Sequence, residues 1–173
     1  EPTIKGLNEE EIDYKGFICL GLIKVGENPY VIEYNCRLGD PETEAVLPRL
    51  DSDLLELFAS MYNIESTSVK HFAEQTLEIN SDSAATVMLV SGGYPEVYEK
   101  GFLMTHVDDE EASLYFHAGT TIVDNDILTN GGRVIAITSL HEDFRVALKE
   151  SMKHAARIKF KGKHYRTDIG FDL

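Results

Sequence analysis

The tightest constraint on this chain is its punctuation between residues 84 and 138. Each apolar run there is short and stops at a turn signal. Residues 84–90 end in Ser91-Gly92-Gly93-Tyr94-Pro95. Thr121-Ile122-Val123 and Ile127-Leu128 flank the polar turn Asp124-Asn125-Asp126. Asn130-Gly131-Gly132 precedes the apolar run 133–138. Runs of this length are too short for helices and suit strands, and Gly, Pro, Asn and Asp are the residues that reverse a chain. Residues 101–107 and 113–118 read as two further strands. The segment predicts a small, mainly antiparallel β domain.

What flanks it is different. Ser139 and Glu142 have capping-box spacing. They open a helix with Phe144, Ala147, Leu148, Met152, Ala155 and Ile158 on one face. Upstream, the first thirteen residues are polar and acidic and read as a loop. Residues 17–25 and 30–36 read as a β-hairpin joined by Gly26-Glu27-Asn28-Pro29. In that register Val25 faces Tyr30, and Cys19 sits opposite Cys36, both as reduced thiols. Asp40 precedes Pro41, with Glu42 and Glu44 close behind, which reads as an Asp-capped helix. Pro48 interrupts it, and a second helix begins near Ser52 with Leu54, Leu57, Phe58 and Met61 at helical spacing. The fold class expected is α+β, a hairpin with helices over residues 1–70, then the β domain with its closing helix over 71–173.

Composition narrows the function. The 173 residues carry 16 Lys and Arg against 30 Asp and Glu, a net charge of −14. Such a chain repels nucleic acid and anionic membrane, so neither is expected as a partner. Eight of the sixteen basic residues lie between Arg145 and Arg166, read as a solvated helix face and tail. No run of residues is long and apolar enough for a membrane helix. The N-terminus has no signal-peptide pattern and no initiator Met, so the chain reads as a piece of something longer. Two cysteines without metal or redox spacing suit a reducing cytoplasm. The six histidines show no metal-ligand spacing, and His117 reads as structural.

The chemistry concentrates on one strand. In Val31-Ile32-Glu33-Tyr34-Asn35-Cys36-Arg37, side chains alternate between faces. Glu33 and Asn35 therefore share a face, joined by Arg37 if the strand continues that far. A carboxylate and an amide oxygen are hard ligands suited to Mg²⁺ or Mn²⁺. An adjacent guanidinium suits phosphate. On spacing alone, a solvated strand face with an incidental ion pair is the plainer account. Gly92-Gly93 after a strand could offer backbone N–H groups to a phosphate or carboxylate, although a plain turn is the plainer account of the pair.

The continuation shifts that balance. Residues 31–50, VIEYNCRLGDPETEAVLPRL, closely resemble the metal-binding end of the phosphoribosylamine–glycine ligase family, also called glycinamide ribonucleotide synthetases, within the ATP-grasp superfamily. The hexapeptide Arg37-Leu38-Gly39-Asp40-Pro41-Glu42 matches that family's signature. Ser91-Gly92-Gly93-Tyr94-Pro95, Phe116-His117-Ala118-Gly119-Thr120, Thr129-Asn130-Gly131-Gly132-Arg133-Val134 and Arg166-Thr167-Asp168-Ile169-Gly170 resemble further segments of it, in the same order. The resemblance runs from about Tyr14 to Gly170 and implies the last portion of an ATP-grasp domain followed by the family's C-terminal domain.

It also implies roles. Glu33 and Asn35 would hold the metal, Mg²⁺ or Mn²⁺, on the nucleotide phosphates. Arg37 would act at the transferred phosphoryl group. Arg37, Asp40, Gly92 and Gly93 would contact ATP or the sugar phosphate. Glycine, phosphoribosylamine, ATP and the missing N-terminal part of the same enzyme would be the partners. Many ATP-grasp enzymes carry a further metal carboxylate on the preceding strand, whereas residues 16–25 contain none. The rival readings are another ATP-grasp ligase or carboxylase, and a non-catalytic binding module derived from that fold.

Overall fold

The computed structural model describes residues 2–62, 71–107 and 113–171. It is α+β, with antiparallel pairing in every sheet. The chain divides into two compact units, one of Glu1–Gly39 with Ser52–Glu78, the other of Asp40–Asp51 with Ile79–Leu173. Residues 63–70, which follow the second helix, lie outside the described residues.

The first unit opens with a helix where a loop was expected, α1 (Pro2–Glu9). Proline at its first position presets the helical φ, and Lys5 reaches Glu9 one turn on at 3.5 Å. Those local signals outweigh the polar composition. Strands β1 (Cys19–Val25) and β2 (Asn28–Asn35) form the expected hairpin, but with a different register. The connection is two residues, Gly26-Glu27, and Val25 pairs with Asn28 rather than Tyr30. Gly26 takes φ +61°, the left-handed conformation that tight hairpin turns use and that glycine adopts freely. Further along, Leu22 pairs with Val31 and Gly21 with Glu33, which leaves Ile32 as a bulge. Cys19 consequently faces Asn35, not Cys36; both thiols are free. Helix α3 (Leu54–Met61) is capped by Asp53, whose carboxylate accepts from the Glu56 amide at 2.9 Å. Phe58 of α3 meets Phe17 edge to face, ring centres 5.8 Å apart.

The second unit is built on β7 (Arg133–His141). It lies between β3 (Ser83–Val90) and β4 (Leu114–His117) in a three-stranded sheet. Six consecutive residues of β7, from Val134 to Ser139, are buried. β5 (Thr120–Val123) and β6 (Asp126–Thr129) make a separate hairpin. Its turn is Asp124-Asn125, both at positive φ, as a tight primed turn demands. Residues 101–107, expected as a strand, contribute only isolated bridges at Leu103 and Thr105.

Helix α4 (Phe144–Arg157) packs on β3 and β7. It buries Ala147, Ser151, His154 and Ala155, with Ile158 just beyond. Its cap is Asp143, not Ser139: β7 runs on to His141, and the Asp143 carboxylate accepts from the Arg145 amide at 2.9 Å. Ser139 is instead a core residue, its hydroxyl 2.7 Å from that of Ser113 and 2.9 Å from that of Ser151. The spacing of a capping box was present, but sheet burial claimed the serine first.

The end of α4 is closed by Lys163. Its ammonium donates to the carbonyls of Ala155 at 2.7 Å and Ile158 at 2.6 Å. A cation there also meets the negative end of the helix. Burial, with the charge of Lys159 adding, pushes the Lys163 ammonium below its usual range. Lys163→Met leaves those carbonyls without their donor, and a loss of about 2 kcal/mol is expected in urea denaturation.

Candidate functional site

Glu33 and Asn35 sit on the same face of β2, two residues apart. The Asn35 amide donates to Glu33 Oε1 at 2.9 Å. Glu33 is exposed and Asn35 half-buried. Neither is tied into a core ion pair. Strand alternation thus brings together the two oxygen-bearing side chains that the sequence singled out. Rotating the Asn35 amide by half a turn places its oxygen beside the glutamate oxygens, making one anionic and one neutral hard donor. Among the described residues no group of three or more His, Cys, Asp or Glu could hold a metal. The pair therefore fits a cation such as Mg²⁺ that takes one or two protein oxygens and keeps its other positions for phosphate and water.

Arg37 lies beyond the end of β2. Its Nη1 donates to the neighbouring Leu38 carbonyl at 3.0 Å, and the side chain is otherwise exposed. Asp40 departs from its expected local role. It caps no helix: the helix it was to open is only α2 (Thr43–Val46), entered through Glu42 without a side-chain cap. Asp40 instead meets Arg133 at the start of β7. Arg133 Nη1 donates to the Asp40 carbonyl at 2.6 Å and lies 3.1 Å from its carboxylate. The Asp40–Pro41 bond is cis.

Gly92 and Gly93 follow β3 in a tight crossing. A Cβ on Gly92 would come within 2.8 Å of the Gly162 carbonyl, and Gly93 has φ +97°. Backbone packing alone thus requires both glycines. They are exposed, and among the described residues neither amide donates a hydrogen bond.

With this geometry in view, comparison with known proteins is decisive. Residues 84–172 match the model of the phosphoribosylglycinamide synthetase C domain, and residues 1–43 that of the same enzyme's ATP-grasp (A) domain. The chain belongs to the phosphoribosylglycinamide synthetase family. It is 40% identical over 173 residues to the trifunctional purine biosynthetic protein adenosine-3 of Gallus gallus, covering 99% of this chain and 17% of that protein. It is 37% identical over 169 residues to a phosphoribosylamine–glycine ligase of Caldanaerobacter subterraneus, covering 98% of this chain and 39% of that one. The crystal structure of the Thermotoga maritima phosphoribosylamine–glycine ligase superposes with a TM-score of 0.78 at 33% identity, over 96% of this chain and 40% of that chain. The chain thus spans well under half the length of each of these relatives.

Within this family member, two features near the expected site residues escaped the sequence reading. Arg133 lies in the family-resembling segment Thr129–Val134, at the start of a strand, and the sequence gives no sign that it engages Asp40. Glu44 was read as an ordinary first-turn acid. Its Oε2 is buried without a hydrogen-bond partner among the described residues. Burial pushes the Glu44 carboxyl up from its usual value of 4.5; its own backbone hydrogen bond and Arg133 oppose the shift, while Asp40 and Glu42 add to it.

The sign of the resulting pH dependence follows from linkage. A carboxyl raised in the folded state favours folding while protonated, and that contribution is lost as pH rises from about the ordinary glutamate value through the folded one. Glu44→Gln mimics the protonated form at every pH. Thermal melts are expected to show the variant gaining stability over the parent at pH 8, with a smaller gain at pH 5. An equal difference at both pH values would contradict the assignment.

Proposed function

We propose that this chain is part of an ATP-dependent carbon–nitrogen ligase that joins glycine to 5-phosphoribosylamine. The products are glycinamide ribonucleotide, ADP and phosphate, the route runs through a glycyl phosphate, and the process is de novo purine synthesis. The observation that carries this is the Glu33–Asn35 oxygen pair on one face of β2, in a chain that matches phosphoribosylamine–glycine ligases along nearly its whole length. In this reading residues 1–70 end the ATP-grasp domain, residues 71–173 form the C-terminal domain, and the enzyme works in the cytoplasm. Among the described residues no helix is long and apolar enough to cross a membrane.

Glu33 and Asn35 would hold Mg²⁺ or Mn²⁺. When bound, such a cation would supply positive charge to offset the negative charge that develops on phosphoryl transfer. Glu33 contributes the anionic oxygen and Asn35 the neutral one. Arg37, with guanidinium donors left over after Leu38, would grip a transferred phosphoryl group through parallel hydrogen bonds. In this reading Asp40, whose turn is held by Arg133, would also contribute to nucleotide binding. The free amides of Gly92 and Gly93 suit an anionic group of the nucleotide or sugar phosphate.

The test is mutational. In the full-length protein, Glu33→Gln and Asn35→Leu are expected to lower the rate of glycine-dependent phosphate release about a hundredfold or more. Glu33 is exposed and Asn35 only half-buried, so unfolding free energy should move by no more than about 1 kcal/mol. Unchanged turnover, or variants that simply unfold, would refute the assignment. A second expectation concerns the 173-residue chain by itself. Ligation draws most of its acceleration from reactants held and oriented on several sides, and this chain supplies only part of the length of its relatives. Mixed with ATP, glycine and phosphoribosylamine, it should release no phosphate; turnover by the chain alone would sink that argument.

A further inference from the structure

The side chain of Glu33 lies over a residue that has none. Glu33 pairs across the hairpin with Gly21, and a Cβ built on Gly21 would come within 3.1 Å of Glu33 Cγ. That is closer than carbon atoms pack without one of them moving, since optimal carbon–carbon contact is about 3.5–4.0 Å. The methylene of Glu33 therefore uses the space left by the missing side chain of Gly21.

This pairing is not what simple hairpin counting gives. Leu22 pairs with Val31, so an uninterrupted ladder would set Glu33 against Leu20. The bulge at Ile32 advances β2 by one residue and sets Glu33 against Gly21 instead. It also moves Glu33 and Asn35 to the opposite face from the one an unbroken ladder would give them. Bulge and glycine act together: one selects the face, the other clears it.

We propose that Gly21 is a positioning residue for the Glu33 carboxylate, its missing side chain setting where the carboxylate stands beside Asn35. The inference rests on the reading that Glu33 and Asn35 hold a divalent cation, and deepens it. Gly21 itself touches no ligand. It acts through Glu33, whose carboxylate is kept within hydrogen-bond distance of Asn35. A side chain at residue 21 would lift Glu33 off the strand and separate the two oxygens.

The experiment compares Gly21→Ala, Gly21→Val, Glu33→Gln and Leu20→Ala in the full-length protein. The probe is Mn²⁺ in the presence of ATP, with free ion followed by electron paramagnetic resonance, so that binding is read without turnover. Gly21→Val and Glu33→Gln are expected to weaken Mn²⁺ binding about tenfold or more, the range seen when the support of a metal ligand is removed. Gly21→Ala should fall between these and the parent. Leu20→Ala loosens the other face of the same hairpin and should bind Mn²⁺ like the parent. In steady-state assays the Mg²⁺ activation constant should rise for the Gly21 variants while KM for glycine stays put.

Parent-like Mn²⁺ binding by both Gly21 variants, with Glu33→Gln weakened, would overturn the proposal while leaving the metal reading intact. Parent-like binding by Glu33→Gln would overturn the metal reading, and this inference with it. Equal weakening by Leu20→Ala and Gly21→Ala would reduce the effect to general loosening of the hairpin and also count against it. Should Gly21→Val fail to fold, Gly21→Ala decides alone, because its single added carbon is the one that meets Glu33 at 3.1 Å.

Discussion

The second unit depends on the burial of β7 on both of its faces. A strand buried on both faces cannot carry unsatisfied polar groups, since each would lose its water without replacement. Two of its six buried residues are polar, and both are bonded. Thr138 lies 2.7 Å from the Thr86 hydroxyl and donates to the Glu44 carbonyl at 2.9 Å. Ser139 is linked to Ser113 and to Ser151, and Ser151 donates to the Ala85 carbonyl at 2.7 Å. These bonds tie α2 to one face of β7 and α4 to the other. Arg133, at the strand's first position, extends the same fixation to the Asp40 turn.

The hairpin of the first unit obeys a different constraint. None of the residues of β1 and β2 is fully buried, and Leu22, Ile23, Tyr30, Val31 and Ile32 are all exposed. Packing does not fix its register, so backbone geometry does. Gly26 sets the turn, Ile32 forms the bulge, and Gly21 makes room on the face that results. The oxygen pair that carries the functional reading thus rests on backbone conformation more than on a surrounding core. That suits a group which must stay open to a ligand.

Local sequence was informative where one neighbour decides the outcome. The start of the second helix near Ser52, the Asp124-Asn125 turn and the alternation that joins Glu33 to Asn35 involve residues a few positions apart, and all are legible directly. It misled where a distant element competed for the same residue. Ser139 has the spacing of a helix cap, yet the sheet buries it. Asp40 has the place of a helix cap, yet a guanidinium 93 positions along the chain engages it. The hairpin register depends on two features that alternation does not reveal, a turn of two residues rather than four and a bulge at Ile32, and together they move every pair from the four-residue expectation.

The sequence by itself determined the α+β class, the family through its Arg37–Glu42 signature, and the face shared by Glu33 and Asn35, because strand alternation and turn chemistry are short-range. Only the tertiary structure decided what each of those residues stands against: Gly21 beneath Glu33, Arg133 against Asp40, and a buried Glu44 oxygen with no hydrogen-bond partner among the described residues. Such pairings depend on register and on burial by segments remote in sequence, and no local pattern encodes the competition that settles them.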